Sequence, residues 1–95
     1  MKNLLVVDDE IDILETIVDT LEIEFDDDSV QITKATNGSE ALELFRDKGN
    51  FDLVVTDINM PEMDGVELTR NLKTIDKGIG VIVFTGHGDT EEHEK

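Results

Sequence analysis

Three apolar runs of this sequence end in polar side chains of a kind that can bind metal ions or phosphate groups. The runs and the side chains that follow them are residues 4–7 with Asp8 and Asp9, residues 53–55 with Asp57, and residues 79–84 with Thr85. Apolar, β-branched runs of this length are typical of strands buried in a parallel sheet. Because the carboxyl ends of parallel strands lie along one edge of the sheet, we expect these four side chains to converge there.

The chemistry of such a cluster is set by its charge. Three carboxylates in one small cleft repel one another unless a cation lies among them. A few hard oxygen ligands suit Mg²⁺, which keeps several waters and accepts further ligands from a phosphate group. The hydroxyl of Thr85 would then donate a hydrogen bond to a phosphoryl oxygen. The residue types predict a metal-assisted phosphoryl site, although Asp57 taken alone also fits a turn or helix-capping aspartate.

The elements that must position these residues alternate between strand and helix. Residues 30–32 alternate as a further strand, expected at an edge of the sheet. Three segments show helical spacing of apolar residues: Ile11, Leu14, Ile17, Val18, Leu21 and Phe25; Ala41, Leu42 and Phe45 within residues 39–47; and Val66, Leu68, Leu72 and Ile75, with a third helix expected from about Gly65 to Thr74. The alternation predicts a parallel sheet with right-handed crossovers. Gly65 supplies a backbone position that is free to adopt positive φ.

These motifs together resemble a known family. The acidic pair after the first strand, Asp57 followed by Asn59-Met60-Pro61 and Met63-Asp64-Gly65, and Thr85-Gly86 after a later strand are similar to the response regulator receiver domain, the CheY-like family. The resemblance runs from Lys2 to about Thr90. It implies a flavodoxin-like, doubly wound α/β/α fold with a parallel sheet in the order 2-1-3-4-5, of which CheY is a standard example.

The resemblance also implies a reaction. Asp57 would accept a phosphoryl group from a histidine kinase or phosphotransfer protein. Asp9, Asp57 and the backbone carbonyl of Asn59 would bind Mg²⁺, with Asp8 acting through water. The chain would be a regulatory phosphoacceptor rather than an enzyme with an external substrate. An aspartyl-phosphate hydrolase is a poor alternative because Ile58 and Asn59 supply no second acid after Asp57.

Signal output follows from the same resemblance. Thr85 would bind the phosphoryl oxygen and reorient, which would carry the signal to an output domain or partner protein. Asn59 and His87 occupy positions that in the family adjust the rate of phosphoryl loss.

The family pattern extends further than residues 1–95, which we expect to form a single, truncated receiver domain. Most of a fourth helix, the fifth strand, the fifth helix and the family's lysine after that strand have no counterpart here. The strand at residues 79–84 would then be an exposed apolar edge. We expect self-association through that edge or through the region after Thr85. A phosphorylation-independent interaction module is therefore the alternative function.

The composition limits the partners. The 24 acidic residues against 8 basic residues give a formal charge of −16. Such a charge repels nucleic acid and anionic membranes, so we expect no direct binding to either. The sequence contains no cysteine and no apolar run long enough for a membrane span. We expect a soluble, cytoplasmic protein.

Overall fold

The described part of the chain, residues 2–25 and 29–85 of a computed structural model, forms a four-stranded parallel sheet with three helices. The elements follow one another as β1 (Lys2–Val7), α1 (Ile11–Phe25), β2 (Val30–Ala35), α2 (Gly38–Lys48), β3 (Leu53–Asp57), α3 (Gly65–Ile75) and β4 (Gly80–Phe84). The strand order is β2-β1-β3-β4, and each neighbouring pair is parallel. The predicted order of these four strands and the edge position of β2 are confirmed.

The helices cover the two faces of the sheet unequally. α2 and α3 enclose the larger core cluster on one face, and α1 packs over a smaller cluster on the other. Leu5 and Val7 of β1 belong to the larger cluster and Val6 to the smaller, and all three are fully buried. This two-sided burial explains why β1 is apolar without alternation. Each such side chain stabilises the fold by about 1.5–3 kcal/mol.

The strands and helices differ at their ends from the sequence expectation. β2 runs three residues further than predicted because it pairs with β1 along its whole length, with Val7 opposite Ala35. α2 begins at Gly38 rather than at Ser39, after the Asn37 side chain accepts a hydrogen bond from Glu40 N–H. This hydrogen bond caps the N-terminus of α2, and asparagine is a residue type that is common both in turns and at N-terminal caps.

Two of the predicted apolar helix faces are broader than the faces that the structure buries. Leu14 of α1 is buried, but Ile11 and Phe25 at its two ends are 55% and 46% exposed. In α3, Leu68 is fully buried whereas Val66 is 42% exposed. Two helical residues separated by two positions lie on nearly opposite sides, so Val66 points away from the sheet that Leu68 covers. The apolar helical pattern therefore includes Ile11, Phe25 and Val66, although the fold leaves these three side chains exposed.

Gly65 is needed for a different reason from the one that the sequence suggested. Among the described residues, the only glycine with positive φ is Gly49, at φ 70° after the end of α2. A Cβ at Gly65 would instead lie 2.5 Å from the backbone oxygen of Asp57 and 2.9 Å from Ile58 Cα. Glycine allows α3 to begin in direct contact with the end of β3. The freedom to adopt positive φ, which the sequence offers at Gly65, is not used there.

None of the three helices in the described ranges has the length and apolar character that a transmembrane span requires.

Candidate functional site

Asp57 is the last residue of β3, a strand with a neighbour on each side. β1 and β4 both pair with β3 in parallel, and Asp57 lies opposite Phe84 in the register. The Asp57 side chain is fully buried. Its Oδ1 accepts a hydrogen bond of 3.2 Å from the backbone N–H of Asn59, and Ile58 N–H donates to Phe84 O at 2.8 Å. The backbone at the start of the following loop therefore orients the Asp57 carboxylate.

Asp8 and Asp9 follow β1, the strand next to β3. The backbone N–H of Asp8 continues the sheet by donating to Ala35 O at 3.1 Å. The Asp8 side chain is fully buried, and its Oδ1 accepts a 2.9 Å hydrogen bond from Glu10 N–H at the entrance to α1. Asp9 is half-buried, and its Oδ1 is a buried atom with no hydrogen-bond partner among the described residues.

The three carboxylates form an acidic cluster, defined here as Asp8, Asp9 and Asp57. One oxygen of each lies within 4.8 Å of the corresponding oxygens of the other two. At that separation, two unit charges repel by about 3.5 kcal/mol for an effective dielectric constant of 20. A cation would offset this repulsion, and the buried Asp9 Oδ1 would gain a partner by coordinating it. The donor set, all hard carboxylate oxygens, fits Mg²⁺.

The other predicted site residues lie around this cluster to differing extents. Thr85 directly follows β4, one residue beyond the position opposite Asp57, and its side chain is exposed. Asn59 is exposed and contacts Asp57 through its backbone N–H. His87 lies outside the described residues, as do the acidic positions 26–28 and all residues after Thr85. The roles assigned to Thr85, Asn59 and His87 stay predictions.

Two features of the site were not found from the sequence. Thr56 is fully buried, and its Oγ1 donates to the backbone oxygen of Asp57 at 3.0 Å. A hydroxyl residue at the end of an apolar strand is a weak sequence signal for such a contact.

The second feature is a turn around Glu62, which has φ 71°, with Met63 N–H donating to Pro61 O at 2.7 Å. Glutamate gives no sequence signal for positive φ, which glycine or asparagine would have given.

The model of the response regulator receiver domain family matches residues 4–95 of this chain. The strand order and the acidic cluster described above agree with this family match. The chain belongs to the response regulator receiver domain family. Receiver domains act as phosphoacceptors in two-component signalling, and the resemblance inferred from the sequence is confirmed.

Individual relatives agree with the family. A response regulator receiver protein of Anaeromyxobacter sp. is 40% identical over 87 residues, which are 92% of this chain and 34% of that protein. The crystal structure of response regulator TrrA of Thermotoga maritima in complex with Mg²⁺-BeF is 37% identical, with a TM-score of 0.81. It is matched over 97% of this chain and 76% of that chain.

A further crystal structure contains histidine kinase ThkA in complex with TrrA, and the chain matched there is 39% identical with a TM-score of 0.79. The match covers 93% of this chain and 72% of that chain. The chain spans between about a third and about a half of the length of the first curated relatives that it matches.

Proposed function

We propose that this receiver domain accepts a phosphoryl group on Asp57 from a phosphorylated histidine of a kinase or phosphotransfer protein. The observation that carries the proposal is the acidic cluster at the carboxyl edge of the sheet. Its ligand oxygens lie within 4.8 Å of one another, and Asp57 terminates the strand that runs between β1 and β4. A carboxylate nucleophile and an acidic cation site therefore lie together at the edge where parallel sheets bind ligands.

The proposed reaction is a transfer between two protein side chains. A carboxylate oxygen of Asp57 forms a bond to phosphorus as the phosphorus–nitrogen bond of the phosphohistidine breaks in line with it. The electron pair of the broken bond stays on the imidazole nitrogen, and Asp57 becomes an acyl phosphate. The Asn59 N–H holds one oxygen of the attacking carboxylate at 3.2 Å.

Residues of the acidic cluster would hold Mg²⁺. Asp9, Asp57 and the backbone carbonyl of Asn59 are the proposed ligands, with Asp8 acting through water. When bound, Mg²⁺ would offset the negative charge that the carboxylates and the phosphoryl oxygens bring together. The chain's own contribution is to keep these acids at one strand edge, where Asp8 N–H and Ile58 N–H bond to neighbouring strands.

Thr85 is the proposed switch residue. It stands directly after β4, whose last residue Phe84 is both the register partner of Asp57 and the acceptor of Ile58 N–H. A phosphoryl group on Asp57 would offer oxygens that the Thr85 hydroxyl can approach, and the exposed side chain is free of the packing that would hold it back. Reorientation of Thr85 would then change the surface beside β4. Asn59 and His87 would modulate the lifetime of the adduct.

The proposed partner is a histidine kinase, in keeping with the ThkA–TrrA complex among the similar structures. An output domain or separate partner protein would receive the signal, and the cytoplasm is the expected compartment. The chain would catalyse at most its own phosphorylation and dephosphorylation.

A small-molecule phosphodonor tests the proposal without knowledge of the kinase. The protein is incubated with the donor in the presence of Mg²⁺ or EDTA, and the intact mass is recorded before and after acid treatment. We expect an acid-labile, Mg²⁺-dependent adduct that disappears in Asp57→Asn and survives in Asp47→Asn. Asp47 is a matched control because it is an exposed acid of α2. An adduct that persists in Asp57→Asn would remove the assignment.

Assembly independent of phosphorylation is a second candidate, favoured by β4. β4 ends the sheet in the described part of the chain, and Ile82 and Val83, on its opposite faces, are 52% and 39% exposed. An apolar edge of this kind invites another strand. Surface charge is screened beyond about 8–10 Å at ordinary salt, so the net charge of −16 opposes local pairing only weakly.

Sedimentation at micromolar concentration tests this second candidate. We expect self-association that Ile82→Lys abolishes and Ile23→Lys leaves intact. Ile23 is the matched control because it is 76% exposed but belongs to α1 rather than to the β4 edge. A wild-type protein that sediments as a monomer would contradict assembly through the β4 edge.

A further inference from the structure

The loop between β3 and α3, residues 58–64, contains a strained turn. Met63 N–H donates to Pro61 O at 2.7 Å, which closes a three-residue turn around Glu62. The φ of Glu62 is 71°. A turn of this type with a side-chain-bearing residue at its centre is rare and strained. Such strain persists where the surroundings hold the residue in place, so the neighbours of the turn have to be identified.

Met63 is the residue of this turn that is anchored in the protein. It is partly buried and packs against the larger core cluster, and Asn71 Nδ2 of α3 donates to its Sδ at 3.6 Å. On its other side lies Gly38, the first residue of α2. A Cβ at Gly38 would stand 2.7 Å from Met63 Sδ and 3.0 Å from Met63 Cβ and Cγ. Met63 therefore occupies space that only a glycine at position 38 leaves open.

The same short loop orients the nucleophilic carboxylate. Its two ends are fixed, because Ile58 N–H donates to Phe84 O and Gly65 N–H donates to Ile58 O at 2.9 Å. Asn59, between these ends, directs its N–H at Asp57 Oδ1. With the ends fixed, a displacement of the turn at residues 61–63 is taken up by the few residues between, and Asn59 is one of them.

We propose that Met63, seated on Gly38, is a positioning residue that holds the turn at residues 61–63 so that Asn59 N–H stays directed at the Asp57 carboxylate. The consequence for phosphoryl transfer rests on the proposed function, whereas the positioning itself is a property of the metal-free protein. An ordinary core contact would stabilise the fold without any particular effect on Asn59. The positioning role and an ordinary core contact are distinguished by which backbone amides respond to a substitution.

Gly38→Ala is the substitution that disturbs this contact most directly. The Met63 Sδ can rotate away from a new methyl group, so the helix itself can form, and alanine favours it. Met63 Cβ cannot rotate away because it is attached to the backbone, so the loop has to shift by a few tenths of an ångström. Gly78→Ala is the matched control, since a Cβ there would have no closer contact than Asp76 Oδ1 at 3.7 Å.

Amide hydrogen exchange in EDTA is the first readout. We expect the Asn59 amide to exchange about tenfold faster in Gly38→Ala, the change that loss of one hydrogen bond of typical strength allows. The Leu68 amide, which donates to Asp64 O at 2.9 Å inside α3, should keep its wild-type rate. Gly78→Ala should change neither amide. The second readout is phosphorylation of Asp57, which we expect to slow at least about threefold in Gly38→Ala.

Met63→Ala keeps the inference testable if Gly38→Ala folds poorly. It should also accelerate exchange at Asn59, and the double variant should show less than the sum of the two effects, because both act through one contact. Unchanged exchange at Asn59 in either folded variant would overturn the inference, as would equal acceleration of the Asn59 and Leu68 amides. A wild-type protein that never accepts a phosphoryl group, but shows the expected exchange pattern, would refute the proposed function and leave the positioning role standing.

Discussion

Asp9→Asn is expected to stabilise the metal-free protein and to remove its response to Mg²⁺. The substitution conserves the shape of the side chain and deletes one charge from the acidic cluster. Asp9 takes part in two close pairs, with Asp8 and with Asp57. Its Oδ1 is buried and has no hydrogen-bond partner among the described residues. A cation bound at the acidic cluster would supply this oxygen with a partner.

The size of the effect follows from the geometry. Two unit charges 4.8 Å apart repel by about 1 kcal/mol in bulk water and by about 3.5 kcal/mol at an effective dielectric constant of 20. Asp8 and Asp57 are fully buried, so the value for water is a lower limit. Removing both pairs should raise the free energy of unfolding by at least about 2 kcal/mol. In a domain of this size, that gain corresponds to a rise in Tm of about 10 °C.

Urea unfolding of the wild type and the variant, each in EDTA and in excess Mg²⁺, measures the effect. Binding to the folded state stabilises the wild type in proportion to the logarithm of the metal concentration over its Kd. Asp12→Asn is the matched control, because Asp12 is an exposed acid in the first turn of α1. Its loss should cost about 0.3–1 kcal/mol through the helix dipole and preserve the response to Mg²⁺.

In EDTA, Asp9→Asn and Asp12→Asn are expected to change the free energy of unfolding in opposite directions. If Asp9→Asn is less stable than the wild type in EDTA, the three carboxylates do not repel one another in the folded protein. If it keeps the full stabilisation by Mg²⁺, the cation binds elsewhere.

Three further substitutions test how the fold positions the site, each by urea or thermal unfolding. Gly65→Ala places a Cβ 2.5 Å from the backbone oxygen of Asp57, which cannot move aside, and should cost about 3 kcal/mol; a cost under about 0.5 kcal/mol would refute the close approach. Leu68→Ala empties a fully buried position and should cost about 2–5 kcal/mol. Asn37→Ala removes the acceptor of Glu40 N–H at the start of α2 and should cost about 1 kcal/mol.

The strands and their order were predictable because their signal is local and strong. β1 and β3 are buried on both faces, so their apolar runs stand out from the surrounding acidic sequence. The polar residues at their carboxyl ends could then be placed together from the geometry of a parallel sheet alone. The acidic cluster follows from that geometry, and the structure brings its three oxygens to within 4.8 Å.

Other features depend on contacts between distant parts of the chain and could not be predicted in this way. Ile11 and Val66 fit an apolar helical pattern, yet both are exposed, Ile11 at the first position of α1 and Val66 on the side of α3 that faces away from the sheet. Gly65 is a glycine because of the approach of Asp57 and Ile58, which no local pattern reveals. The positive φ of Glu62 likewise reflects its surroundings rather than its own preference.

The most direct test of the central claim is to locate the phosphoryl group on the protein. The wild type is treated with a small phosphodonor and Mg²⁺, the acyl phosphate is reduced with borohydride, and the peptides are analysed by mass spectrometry. We expect Asp57 to be converted to homoserine and the conversion to be lost in EDTA. Conversion at any other acid, or none at Asp57 under conditions that bind Mg²⁺, would contradict it.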